Sequence, residues 1–95
     1  MLQLRDSGWQ AIMSTPFCYV YRLRSKADPN RSYVGLTDDL TMRLKKHNAG
    51  GSPHTAKWRP WELEVAISFA SREKAAAFEK YLKTGSGREF ARRHF

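Results

Sequence analysis

The sequence is short of cysteine, of acidic residues and of long apolar runs. A single cysteine, Cys18, excludes an internal disulfide and a zinc site built from several thiolates. It lies in a hydrophobic, strand-like run, which reads as a buried structural thiol. No apolar stretch approaches the roughly 20 residues that a helix needs to cross a bilayer, so no membrane-spanning segment is expected. The N-terminus lacks the apolar region of a secretion signal, which gives a cytoplasmic expectation. Acids are scarce: nine Asp and Glu face 17 Lys and Arg, for a formal net charge of +8 and a pI near 10.1. That imbalance favours a polyanionic partner, which means DNA, RNA or an anionic membrane surface. The bland alternative is a protein that is merely basic.

What is present suits one small domain. Ninety-five residues can bury one modest core, and 13 % of them are aromatic. Residues 1–16 show no clean period and read as a loosely ordered N-terminal arm, or as an extension upstream of a start at Met13. Trp9 and Ile12 could still dock on the domain, which spans residues 17–95. "FCYVYRLRS" alternates Phe17, Tyr19, Tyr21 and Leu23 with Cys18, Val20 and Arg22, the period of a strand. Asp28-Pro29-Asn30 signals a turn, and "SYVGL" returns as a second strand. Thr37 is a candidate cap for the next helix, with Asp38 and Asp39 in its first turn and Gly50-Gly51 at its end. "SPHTAKWRP" reads as a basic loop. "WELEVAISF" is a third strand, with Leu63, Val65 and Ile67 on one face. Ser71 caps a helix over 72–83 with Ala75, Phe78 and Leu82 as its apolar stripe. "TGSG" ends that helix, and "REFARRHF" forms a short third one. The order β-β-α-β-α-α predicts an α+β domain, a small three-stranded sheet flanked by helices.

Several polar residues point where a core should be. On the helix "LTMRLKKHN", wound at roughly 100° per residue, Leu40 and Leu44 share the inner side with Arg43 and His47. Taken singly, each fits the edge of an apolar stripe with its stem covering apolar surface. Two of them one turn apart suggest a wet pocket between helix and sheet. Tyr19 and Tyr21 share one face of the first strand, and Tyr33 lies on the second. Gly35 follows Tyr33 by two; it admits either the close approach of a substrate backbone or a turn with positive φ. Glu79 lies roughly 40° from Ala75, near the apolar stripe of its helix. A lone carboxylate there is either a boundary residue reaching water or the anchor of one Mg²⁺ whose other ligands are waters and phosphate oxygens. Tyrosine hydroxyls, an arginine, a histidine and one acid are a coherent set for phosphodiester hydrolysis, which needs an activated water, stabilised charge and a protonated leaving oxygen.

The ordered series Tyr19-Val20-Tyr21, Tyr33-Val34-Gly35, Arg43, His47 and Glu79 resembles the GIY-YIG nuclease superfamily over residues 17–95. Tyr19 stands where the family's naming glycine would be. "RPWEL" and "EKYLKTGSGREF" resemble the small single-domain bacterial members, which look like the nuclease module of the excision-repair incision subunit. Leu36 stands where that subunit has a lysine, and no asparagine follows Glu79. The resemblance implies that Tyr21 or Tyr33 acts as, or positions, the general base for water. It implies that Arg43 binds the scissile phosphate, His47 assists proton transfer, and Glu79 holds a single Mg²⁺ or Mn²⁺. Gly35 would be a point of close substrate approach.

The expected function is therefore a metal-dependent endonuclease acting on DNA, selecting structure rather than sequence, with RNA as the other substrate class. The alternative is a non-catalytic nucleic-acid-binding module that keeps the fold. Lys46, Lys57, Trp58, Arg59, Lys83 and Arg88 are the candidate nucleic-acid contacts, combining phosphate-gripping charge with an indole able to stack on a base. Two cuts would need two active sites, so a homodimer or a targeting partner protein completes the expectation. His54 reads as a solvated loop residue and Trp61 as core.

Overall fold

The computed structural model describes residues 17–95; the expected arm at 1–16, with Trp9 and Ile12, lies outside the described residues. β1 (Cys18–Ser25) is the middle strand of a three-stranded sheet, flanked by β2 (Ser32–Thr37) and β3 (Trp61–Phe69). Both pairings are antiparallel, with Tyr21 opposite Gly35 on one side and Ala66 on the other. The expected order is observed, helices α1 (Leu40–Asn48), α3 (Arg72–Leu82) and α4 (Gly85–His94) following the strands as read. One element is additional: α2 (Pro53–Ala56), a single turn inside the segment expected to be a loop. Pro53 can begin it because the first helical N–H has no partner to lose.

The side-chain period of β1 divides the molecule. Cys18 and Val20 face α3 and α4, where they pack with Ala75, Leu82 and Ala91 and with half-buried Val34, Leu36, Phe69, Phe78 and Phe90. Tyr21 and Leu23 face the other way and pack with Trp61, Tyr33, Leu40, Leu44 and Ala66. Helices α1 and α3 thus cover opposite faces of the sheet instead of enclosing one cleft between them.

Three local readings are corrected. A bulge pairs Leu23 with Leu63 but Arg22 with Val65, leaving Glu64 as the extra residue. It shifts the period of β3, so Trp61 and Ala66 reach the same cluster while Leu63 is exposed. Glu64 turns aside to pair with both Arg22 and Arg24, the latter at 2.9 Å. The cap of α1 is Asp39, which accepts from the Met42 N–H at 3.0 Å; Thr37 instead ends β2 and accepts from the Asp39 N–H at 3.1 Å. Helix α4 begins at Gly85, within "TGSG", capped by Thr84. The glycine that reads as a stop is there for proximity: a Cβ on Gly87 would lie 1.9 Å from the Tyr81 carbonyl oxygen.

Candidate active site

β1 supplies the most deeply set group. Tyr21 is 1 % exposed, its ring lying across the neighbouring strand at Gly35. A Cβ on Gly35 would stand 2.3 Å from the Tyr21 hydroxyl. Gly35 is therefore glycine to admit this phenol. The space above it belongs to Tyr21 and not to a substrate backbone, and the positive φ is found at Gly50 instead. Tyr33, one residue after the start of β2, is half-buried, with its ring centroid 6.3 Å from that of Tyr21.

Helix α1 brings the other two expected groups onto these phenols. Its i, i+4 spacing turns Arg43 and His47 inward together. His47 is 1 % exposed, and its Nε2 lies 2.9 Å from the Tyr21 hydroxyl. Its ring meets that of Tyr33 edge-on, with centroids 5.0 Å apart. Arg43 is half-buried; its guanidinium reaches the Leu36 carbonyl at 3.5 Å and lies beside the Tyr21 phenol. The electrostatics follow from this packing. Burial raises the Tyr21 pKa above its ordinary value, Arg43 pulls it back, and the charges of Tyr33 and Glu79 add to the rise. Burial lowers the His47 pKa, as do the positive charges of Arg43 and Lys46, so the imidazole is neutral at pH 7.

Sequence reasoning missed the group behind His47. Thr55, on α2, is 0 % exposed, and its hydroxyl lies 2.7 Å from His47 Nδ1. The Trp61 indole N–H donates to the Thr55 carbonyl at 2.8 Å. Asn48, the last residue of α1, holds the Trp61 backbone twice, accepting its N–H at 2.7 Å and donating to its carbonyl at 3.0 Å. These bonds tie α1, α2 and the start of β3 into one support. The only signal in the sequence was a threonine eight residues after the histidine, which no regular period connects.

Glu79, on α3, is the smallest of the influences on Tyr21, its charge adding to the rise of that pKa. Its carboxylate pairs with Lys83 at 2.5 Å, one turn along the helix. No cluster of three or more His, Cys, Asp or Glu side chains able to hold a metal occurs among the described residues. A single carboxylate such as that of Glu79 would serve a hard divalent cation only as one ligand among waters and substrate oxygens. It does not make a closed protein cage.

The expected nucleic-acid contacts fall into three places. Lys83 and Arg88 line a groove of 620 Å³ with Tyr33 and Arg92, and Arg31, which sequence reasoning passed over, lines it too. Its floor includes Leu82 and Ala91. Lys46 lines a second depression with Arg43, beside exposed Met42. Lys57, Trp58 and Arg59 follow α2. The Trp58 ring packs on the Tyr21 cluster and carries the Arg31 guanidinium over its face at 4.1 Å. Arg59 donates to the Ala56 carbonyl at 2.8 Å, which gives it a structural contact. His54 is exposed, and Trp61 is core, as expected.

A sheet that presents two phenols to a helix carrying an imidazole and a guanidinium, beside a basic groove, has the groups of a phosphodiester-cleaving domain. Comparison with known proteins agrees. The profile of the GIY-YIG catalytic domain matches residues 17–92, and the chain belongs to the GIY-YIG nuclease family. It is 38 % identical over 66 residues to the structure-specific endonuclease subunit SLX1 of Cryptococcus neoformans, covering 65 % of this chain and 14 % of that protein. It is 41 % identical over 82 residues to the protein of that name from Scheffersomyces stipitis, covering 78 % of this chain and 24 % of the relative. With the UPF0213 protein YazA of Bacillus subtilis it shares 42 % identity over 59 residues, 61 % of this chain and 60 % of that one. The chain thus spans a quarter or less of these SLX1 relatives.

Proposed function

We propose that this domain hydrolyses DNA phosphodiester bonds as a metal-dependent endonuclease that selects the structure of its substrate. The carrying observation is the convergence of Tyr21, Tyr33, Arg43 and His47 on one side of the sheet, with the charge of Glu79 acting on the same phenol. Arg43 binds the scissile phosphate and offsets the charge that develops on it. Tyr33 is the better suited of the two tyrosines to orient and deprotonate the attacking water, because it borders the open groove. The Tyr21 hydroxyl is already engaged with His47 and lies beside Arg43. Glu79 would hold Mg²⁺ or Mn²⁺, which when bound neutralises charge on the phosphate. Lys83, Arg88, Arg31 and Arg92 receive the flanking phosphates. Such contacts carry no sequence information, which favours recognition of shape such as a flap, branch or single-stranded end. The relatives named as structure-specific endonuclease subunits support the same reading, and their being subunits supports a targeting partner here.

Cleavage of labelled single-stranded, duplex, flap and branched DNA, with Mg²⁺, Mn²⁺ or EDTA, tests this directly. Metal-dependent cutting that Glu79→Ala abolishes is the expected result. A second reading, a DNA-binding module without turnover, is favoured by the closure of Glu79 by Lys83. Salt-sensitive binding with no cutting of any substrate would establish it in place of the first.

A further inference from the structure

We infer that Thr55 is a positioning residue of this site, fixing the His47 tautomer so that the Tyr21 hydroxyl donates to His47 and turns its lone pairs toward Arg43. The inference rests on the proposed hydrolysis for its functional meaning, and on hydrogen bonding alone for its structural content.

The direction of each bond follows from counting protons. Tyr21 is buried and carries one O–H. Its neighbours at the hydroxyl are Arg43, which has only donors, and His47 Nε2. A buried hydroxyl needs an acceptor, and no buried side-chain polar atom lacks a partner among the described residues. Tyr21 therefore donates to Nε2, which must carry the lone pair. A neutral imidazole then bears its proton on Nδ1, and the bond of 2.7 Å to Thr55 Oγ1 runs from histidine to threonine. The Thr55 proton has one remaining acceptor, the Ser52 carbonyl at 3.4 Å, which also accepts the backbone N–H groups of Thr55 and Ala56. All the donations run one way, from Tyr21 through His47 and Thr55 to a backbone carbonyl. Hydrogen bonds aligned in this way polarise one another in the same sense.

The opposite tautomer would have a different consequence at the phosphate end. Nε2–H would donate to Tyr21, and the phenol proton would be left facing the cationic Arg43. Holding that guanidinium by a phenol oxygen requires the first arrangement. Thr55 can impose it because its own proton goes to the Ser52 carbonyl, which leaves Oγ1 to accept from Nδ1–H, and because its place is fixed: the Trp61 indole holds its carbonyl, and Asn48 holds the Trp61 backbone. Thr55 touches no substrate in this scheme; it acts through His47.

Two measurements decide the matter. Nitrogen-15 chemical shifts of the His47 ring in the unmodified protein at pH 7.5 should report Nδ1 protonated and Nε2 bare. The reverse assignment would overturn the inference whether or not the protein cuts DNA. In Thr55→Val, which keeps the shape and removes the hydroxyl, the tautomer should shift toward Nε2–H. Its kcat should fall about tenfold, the equivalent of roughly 1.4 kcal/mol, with KM unchanged. Thr55→Ser should restore both. A folded Thr55→Val that keeps the original tautomer and rate would show that Thr55 only fills space. Failure of every form to cut DNA would bear on the proposed function alone, since the ring shifts are read without turnover.

Discussion

On one face of the sheet Cys18, Val20, Ala75, Leu82 and Ala91 close an apolar core beneath α3 and α4; on the other, Tyr21, His47 and Thr55 are buried as deeply but joined by hydrogen bonds. The same strand, β1, serves both, giving alternate residues to each. The apolar face asks of its groups only that they fill the space without voids or overlap. The polar face tolerates only groups that satisfy one another, since a buried hydroxyl or imidazole without a partner is costly. The difference teaches which face can do chemistry. Beneath α3 and α4 the interior is held by apolar packing. Beneath α1 the apolar contacts of Leu23, Trp61, Leu40 and Leu44 are joined by directional bonds that a substrate, a proton or a mutation can alter.

The largest effects should separate the two faces. Leu82→Ala should cost about 2–5 kcal/mol of stability, read as a fall in Tm, because it empties a buried leucine site. The folded fraction should keep its kcat, any loss falling on KM, because Leu82 lines the basic groove but lies on the face of the sheet opposite Tyr21 and His47. Arg43→Ala should do the reverse: kcat down about 100- to 1,000-fold, as for loss of one charge-stabilising donor, with little change in Tm. A Leu82→Ala protein that is stable but inactive would mean that the faces are not separable in this way.

Gly35→Ala breaks the polar face from the strand side. The new methyl would meet the Tyr21 hydroxyl and ring inside 3 Å, and neither a buried phenol nor the β1–β2 ladder can yield without breaking bonds to His47 or between strands. Overpacking of this kind costs about 1–3 kcal/mol. The distinguishing sign is that activity should fall further than the change in Tm accounts for, since the displaced group is Tyr21. Equal activity per folded molecule would show that Tyr21 is packing and no more.

This glycine also shows where the sequence was legible and where it was not. The strands, the inward turn of Arg43 and His47 and the stripe of Ala75, Phe78 and Leu82 depend on local period, and local period is written in the chain. The purpose of Gly35 depends on Tyr21, on another strand, and neither of the two readings open to a lone glycine was the right one. Thr55 was hidden for the same reason: its partner lies across a turn, and its helix of four residues has no period to read. Leu63 was misassigned because a bulge resets alternation through a single unpaired residue, Glu64. Gly87 read as a helix stop because the close approach of Tyr81 is a tertiary fact. What could be recognised was the kind of residue at each site position; what could not was its partner.

Protonation sharpens the comparison without a mutation. Tyr21, Tyr33, Arg43 and Lys46 face or act on His47, and its pKa lies below the ordinary 6.5. As pH falls below 6.5 the unfolded chain binds a proton at this histidine before the folded one does. Stability from this group is therefore full above 6.5, declines below it, and stops declining once the folded pKa is passed. Activity should fall at the lower, folded value, where Nε2 gains a proton and can no longer accept from Tyr21. Chemical denaturation at a series of pH values, compared with His47→Gln, isolates the contribution. A folded pKa at or above 6.5 by NMR would contradict the account.

The smallest effect tests whether the groove beside Tyr33 belongs to the polar face at all. Arg88 is exposed, lines that groove with Arg31 and Lys83, and has no ion-pair partner among the described residues. Arg92, on the same helix, is held by Glu89 at 2.5 Å. If a nucleic-acid strand runs along the groove, Arg88 is free to meet a phosphate and Arg92 must first leave its carboxylate. Arg88→Ser should weaken binding of all DNA sequences about equally and reduce the slope of log K against log salt by about 1, because one released counterion is lost. Arg92→Ser should change the slope less, since the arginine exchanges one anion for another. A slope unaffected by Arg88→Ser would move the strand to the depression lined by Arg43 and Lys46, on the α1 side of the sheet. Equal losses from the two substitutions would mean that the Glu89 pair does not compete with phosphate.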